Sequence, residues 1–192
     1  MKNFSFQPIV KLLSLLPSIG PKSARRIAIT LAKEKKITTS FIQQLTLINE
    51  NVKSCKICNN LSFFQHCEIC EDSLRDKNQI CVVSDISNLW AIENIGVYEG
   101  VFHVLESSNI LEENQYIENE LKKRITDDHQ EFILALNPTI EGQATIHYIK
   151  SILKEFHNVT VTSLSLGIPI GSDLDYLDSG TITIALESRK EL

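Results

Sequence analysis

No stretch of this sequence is apolar for long enough to cross a bilayer as a helix, and it has no low-complexity tract or internal repeat. A membrane-spanning helix and a repeat array are therefore excluded. Nucleophile and nucleotide signatures are missing too: there is no G-x-S-x-G and no phosphate-binding loop ending in G-K-S/T. The five histidines (66, 103, 129, 147, 157) are scattered, and none pairs with another at the helical spacing that holds a metal. A signal peptide is not expected either. MKNFSFQPIVKLLSLLPSIGP has Lys2 and an apolar stretch, but Lys11 interrupts it and no small-residue cleavage site follows. The segment reads as an amphipathic helix, so the protein is expected to be cytoplasmic, with no membrane partner.

Positive charge is scarce beyond the first turns of the chain. Residues 1–36 hold eight Lys/Arg and one acid, whereas residues 37–192 hold eleven Lys/Arg and 23 Asp/Glu. The net charge of −5 thus hides a split of +7 and −12. This asymmetry suggests a polyanion-binding end on an acidic body. The plainer alternative is that the two ends attract each other. At 192 residues, with 43% hydrophobic and 22% charged side chains, the chain suits one large soluble domain or two small ones.

The basic end centres on LPSIGPKSARRIA, Leu16–Ala28. It reads as helix end, tight turn and helix start. Pro21 suits a first helical turn, where its missing N–H costs nothing, and Gly20 is expected to supply the positive φ of the reversal. Ala24, Ile27, Ala28 and Leu31 fall on one helical face, while Lys22 and Arg26 point away from it, with Arg25 at the border. Cations beside the open amides of a helix N-terminus make a phosphate-binding corner. A solvated basic face is the bland alternative.

Helices are expected over 6–16, from Pro21 to about Lys36, and from about Thr38 to Val52. Thr39 or Ser40 would cap the third, and Phe41, Leu45, Ile48 and Val52 would form its apolar stripe. EDSLRDKNQ (71–79) reads as a polar linker. Strands follow at 80–85, 101–106, 131–137 and 159–165. They alternate with helices over Ile86–Ile95, Ile117–Ile125 and Glu141–Phe156. TITIAL (181–186) reads as a short helix or a strand. The alternation predicts a mostly parallel sheet covered on both faces, with ligands at the strand carboxyl ends. Those ends carry Ser84-Asp85, Asn137 to Glu141 and Gly167 to Asp175.

CKICNNLSFFQHCEIC (55–70) holds two C-x2-C knuckles, Cys55/Cys58 and Cys67/Cys70. Four thiolates at this spacing wrap one tetrahedral ion, and a segment too short to bury a core takes its folding energy from the metal. Structural zinc, one Zn(2+) per chain, is the expectation, with disulfides or an iron–sulfur site as the alternatives. A closed shell of four sulfurs has no open position for catalysis. His66 reads as a bystander and Cys81 as a small core residue.

The order of parts resembles the RecR family of bacterial recombination mediators over essentially the whole chain. LPSIGPKSARRIA is similar to that family's helix-hairpin-helix, and CKIC and CEIC to its zinc module. ICVVSDISNLWAIE, LALNPTIEGQATIHYI and GIPIGSDLDYLDSGT resemble blocks of its Toprim domain and C-terminal segment. The resemblance implies an α/β protein with four parts: a helix-hairpin-helix DNA-binding region at 1–53, a four-cysteine zinc finger at 54–72, a Toprim-like domain at 79–165 and a C-terminal assembly segment at 166–192. It implies binding of single-stranded, double-stranded and gapped DNA through Gly20, Lys22, Arg25 and Arg26. It also implies RecO-like and RecF-like partners, recombinase loading in DNA repair, and a homo-oligomer between a dimer and a tetrameric ring.

The chain departs from the family pattern at several places. Ser18 stands where the family usually has Gly, which is expected to reshape the hairpin. Ser84 stands where a Toprim glutamate usually ends the first strand, removing a magnesium ligand. ESSNILEENQY (106–116) lacks the family's glycines and proline, and Ser163 and Ser172 replace an Arg and a Gly. The resemblance implies that Glu141, Asp173 and Asp175 are candidates for a Toprim cation site, vestigial without the first-strand acid. Glu141 reads equally as the start of a helix. No enzymatic activity is expected. The alternatives are a Toprim-type magnesium-dependent nuclease or primase-like enzyme, and a partner-binding adaptor without DNA affinity of its own.

Overall fold

The computed structural model describes residues 5–105, 114–165 and 167–189. Lys2, Glu106 of the expected second strand, most of the ESSNILEENQY segment, and residues 166 and 190–192 of the expected C-terminal segment lie outside them. Two compact units are present, Met1–Val52 and Lys53–Leu192.

The first unit is helical: α1 (Gln7–Leu13), α2 (Pro21–Lys33) and α3 (Lys35–Asn51). The reversal between α1 and α2 differs from the expectation. Ile19 N–H donates to Leu16 O at 3.2 Å, closing a four-residue turn with Pro17 second and Ser18 third. Ser18 takes φ +62°, while Gly20 sits in extended backbone at φ −75°, ψ 166°. Proline followed by a positive φ is the type II pattern. The hairpin therefore keeps a left-handed turn residue although that residue is serine, and Gly20 is the N-cap of α2. Ala24 and Ala28 are buried, and Lys22, Arg25 and Arg26 are exposed. The α2/α3 junction also differs. Thr39 and Ser40 lie inside α3, and the Thr39 hydroxyl donates to Lys35 O at 2.9 Å. The Thr38 hydroxyl instead reaches the carbonyls of Leu31 and Glu34 across the break.

The second unit starts with an antiparallel pair, β1 (Lys53–Ser54) and β2 (Leu61–Ser62), and a single turn, α4 (Glu68–Glu71). Then come β3 (Asp76–Val83), α5 (Ile86–Glu93), β4 (Gly100–Val104), α6 (Asn114–Lys122), β5 (Gln130–Ala135), α7 (Ile140–Leu153), β6 (Val159–Ser163) and α8 (Ser179–Glu187). The four strands β3–β6 are all parallel, in the order β4-β3-β5-β6. Alternation along β3 explains its continuous apolar run. Ile80 and Val82 pack with Leu121, Phe132, Ile149 and Leu153 on one face, and Cys81 and Val83 with Leu89 and Phe102 on the other.

Boundaries shift where polar residues were read as loop. β3 begins at Asp76, inside the expected linker, because Asp76 pairs with Gly100 before the register slips to Ile80 opposite Val101. Arg75 anchors the same segment. Its guanidinium grips Glu93 on α5 and donates to the carbonyls of Tyr98 and Gly100, both at 3.2 Å. TITIAL is helix, because Asp178 caps α8 by accepting from Thr181 N–H at 3.0 Å.

Candidate metal centre and nucleic-acid interface

Local chemistry brings the four cysteines together. β1 and β2 fold the first knuckle back on itself, and Cys55 N–H donates to Asn60 O at 2.7 Å. Asn59 sits at φ +63°, a left-handed conformation that asparagine tolerates. The second knuckle runs into α4, whose N-cap is Cys67. The sulfurs of Cys55, Cys58, Cys67 and Cys70 lie within 4.8 Å of one another, and Cys58 Sγ is 3.5 Å from Cys67 Sγ. A tetrahedral ion with metal–sulfur bonds of about 2.3 Å needs sulfurs roughly 3.8 Å apart, so the site fits a metal bound by four thiolates. Main-chain amides also point at the sulfurs: Cys67 N–H donates to Cys55 Sγ at 3.2 Å, and Asn60 N–H to Cys58 Sγ. Hydrogen bonds to Cys67 and Cys70, together with burial, push Cys58 far up, while its bond to Cys58 pulls Cys67 down. His66 is turned to Glu71, with Nδ1 2.6 Å from the carboxylate, and is not one of the grouped ligands. Cys81 lies in the core, where burial pushes its thiol up to about 12.

The module is fastened to the sheet edge. Val104 N–H on β4 donates to Cys58 O at 2.8 Å, and Asn59 Nδ2 donates to Val104 O at 3.0 Å. These bonds occupy the open edge of β4, which ends the sheet. Sequence reasoning missed both contacts, since nothing local to residue 59 or 104 signals a partner 45 positions away.

In the first unit, the sequence-expected basic residues share the start of α2. Gly20 has no side chain to cap the helix, so the first-turn amides of Lys22 and Ser23 stay open beside three exposed cations. Among the described residues, none of Lys22, Arg25 and Arg26 pairs with a carboxylate.

In the second unit, a cleft of about 170 Å³ opens at the carboxyl ends of β3 and β5, lined by Ser84, Asn137, Thr139, Glu141 and Thr145 among others. Connections leave these adjacent strands toward opposite edges of the sheet, the place where such sheets bind ligands. Glu141 occupies the first turn of α7, whose cap is Thr139 accepting from Gly142 N–H at 3.1 Å. A Cβ at Gly142 would stand 2.0 Å from Asn137 O, so only glycine lets α7 start this close to β5. Asp85 turns to α5 as its N-cap, accepting from Asn88 N–H at 3.0 Å. Hydrogen bonds from Ser87 and Asn88 hold its carboxyl below the usual range. Asp173 and Asp175 stand exposed at the short 3-10 turn Leu174–Tyr176. Among the described residues, only the four cysteines form a group able to hold a metal. Glu141, Asp173 and Asp175 are not gathered into one.

A parallel sheet with its polar cleft at the strand carboxyl ends, carrying a four-thiol metal site on its edge, defines a Toprim-domain protein with a cysteine module. Residues 78–165 match the Toprim domain family, and residues 167–190 match the family described as RecR, C-terminal. The chain is 42% identical over 189 residues to the recombination protein RecR of Neorickettsia sennetsu, covering 95% of each chain. It is 38% identical to that of Ruegeria sp. strain TM1040, over 99% of this chain and 98% of the relative. To that of Rickettsia massiliae it is also 38% identical, over 95% and 93%. The chain belongs to the RecR family of recombination proteins.

Proposed function

We propose that the protein is a DNA-binding mediator of recombinational repair. The observation that carries this reading is the uncapped start of α2, where open amides adjoin the exposed Lys22, Arg25 and Arg26, which have no carboxylate partner among the described residues. With Gly20 allowing close approach, such a corner grips a phosphate backbone without reading sequence. Its ligand is single-stranded, double-stranded or gapped DNA, and its role is to help load recombinase together with RecO-like and RecF-like proteins in the cytoplasm. The metal is structural Zn(2+), held by Cys55, Cys58, Cys67 and Cys70. No catalysis accompanies the role. Ser84 leaves Glu141, Asp173 and Asp175 as a vestigial cation site without magnesium.

The working form is a homo-oligomer, dimer to tetrameric ring. Phe41, Leu45 and Ile48 on α3 are 54%, 58% and 49% exposed, an apolar stripe that a second copy would cover. An acidic body presents its basic ends to DNA more readily when several line one opening.

Fluorescence anisotropy on a gapped duplex tests the reading. Wild-type protein should bind, and Lys22→Glu/Arg26→Glu should lose at least tenfold in affinity. If neither binds, yet both are captured by a RecO-like partner, the protein is an adaptor and the DNA-grip reading fails. Magnesium-dependent nicking abolished by Glu141→Gln would overturn the non-enzymatic assignment.

A further inference from the structure

The cysteine module rests on a cation of its own. Arg124, in the turn after α6, is partly buried, and its Nη1 donates at 3.0 Å both to Ile57 O and to Phe102 O. Ile57 lies between the ligands Cys55 and Cys58, and Phe102 lies on β4 beneath the module. The turn is itself fixed: Gln130, 1% exposed, donates from Nε2 to Arg124 O at 3.1 Å and accepts from Thr126 N–H at 2.8 Å. Among the described residues, no carboxylate forms an ion pair with Arg124. An inward-facing guanidinium with only carbonyl partners lacks the counter-charge that normally accompanies it. Four thiolates around a divalent ion carry a net charge of about 2−, which supplies that counter-charge.

We propose that Arg124 is the counter-cation of the metal centre, its charge held against the first knuckle through Ile57 O and setting how tightly the ion is kept. The proposal rests on the reading that the cysteines bind a divalent ion. Burial depresses the guanidinium, and the sulfurs of Cys70, Cys58 and Cys55 oppose that effect, which places them within electrostatic reach. His103 also hydrogen-bonds Ile57, but it is 1% exposed, and burial and the Arg124 charge hold it neutral, its pKa down to about 3. It adds no charge. Lys77 also reaches the module, donating from Nζ to Cys70 O at 2.8 Å, but like Lys53 and Lys56 it is exposed, where water screens it.

The test is zinc affinity by chelator competition on the full-length protein, comparing wild type with Arg124→Gln, Arg124→Lys and Lys77→Gln at matched circular dichroism. Outer-shell partners typically govern about 10–100-fold in metal affinity, so Arg124→Gln should lose that much. Arg124→Lys should recover most of it, and Lys77→Gln should change it less than threefold. A wild type that holds no zinc would remove the underlying metal reading. Zinc held equally by wild type and Arg124→Gln would overturn the counter-cation alone, as would an equal loss in Gln and Lys variants, because position rather than charge would then matter. If Arg124→Gln does not fold, Arg124→Lys decides: affinity within threefold of wild type supports the proposal, and a loss of tenfold or more refutes it.

Discussion

Ser18 carries a cost that the hairpin accepts. A non-glycine residue in the left-handed region is disfavoured by about 1–2 kcal/mol, offset in part by the extra chain entropy that glycine loses on folding. Ser18→Gly should therefore raise the stability of the protein by up to about 1 kcal/mol in urea melts. An unchanged or lower midpoint would contradict the turn geometry. The need for a special turn residue was legible in Pro-Ser-Ile-Gly-Pro, but the assignment to Gly20 followed residue preference. Pro17 decides the matter, because with proline second in the turn the positive φ falls on the next residue. His103 is a second case. Nothing around VFHV shows that its imidazole is buried beneath a module 45 residues earlier, and among the described residues Nδ1 has no partner there. Its pKa is lowered in the fold from the ordinary 6.5 to about 3, so the unfolded chain takes up the proton first as pH falls. The stability it contributes is present above about pH 6.5 and is lost progressively toward pH 3. Between pH 7 and pH 5 the zinc-loaded wild type should lose about 2 kcal/mol more than His103→Gln, which cannot be protonated. Parallel pH profiles in denaturant melts would refute the buried neutral imidazole.

Elements were legible where pattern and capping agreed. β3, β5 and α7 were legible from their apolar pattern, whereas residues 181–186 stayed open between helix and strand, since the Asp178 cap that starts α8 went unread. Linker and junction were read less well, because long-range contacts override local polarity. Arg75 looks like one more charge in a polar stretch, yet it ties that stretch to α5 and to the start of β4. Arg75→Ala should destabilise the second unit by about 1–3 kcal/mol, since charged hydrogen bonds to two carbonyls and a carboxylate are removed together. A change below a few tenths in thermal melts would show that the contacts carry no weight. The apolar stripe of α3 was visible as a period, but the period does not tell what covers it. Phe41→Asp/Leu45→Asp should shift the protein to a smaller assembly in light scattering while helicity is kept. An unchanged mass would rule out this face as the contact between copies.

At the scale of the whole molecule, the charge split is the simplest fact in the sequence and the one closest to function. The eight Lys/Arg of residues 1–36 are set against an acidic remainder, and three of them flank the open amides of α2. Polyanion affinity built this way comes largely from counterion release, so it declines with salt in proportion to the phosphates engaged. The gathering of the four cysteines was legible from their spacing, and the sheet in its parallel direction but not in its strand order. The Toprim cleft was legible only as strand ends; whether its acids gather depends on loop geometry, and among the described residues they do not. The most direct test is the affinity of zinc-loaded protein for a gapped duplex over a salt series, beside Lys22→Glu/Arg26→Glu. The account predicts a steep negative slope of log affinity on log salt, shallower in the variant by about 0.9 for each duplex phosphate that the variant no longer neutralises. Equal affinities and equal slopes for the two proteins would contradict it, because the start of α2 would then be a solvated basic face rather than the grip on DNA.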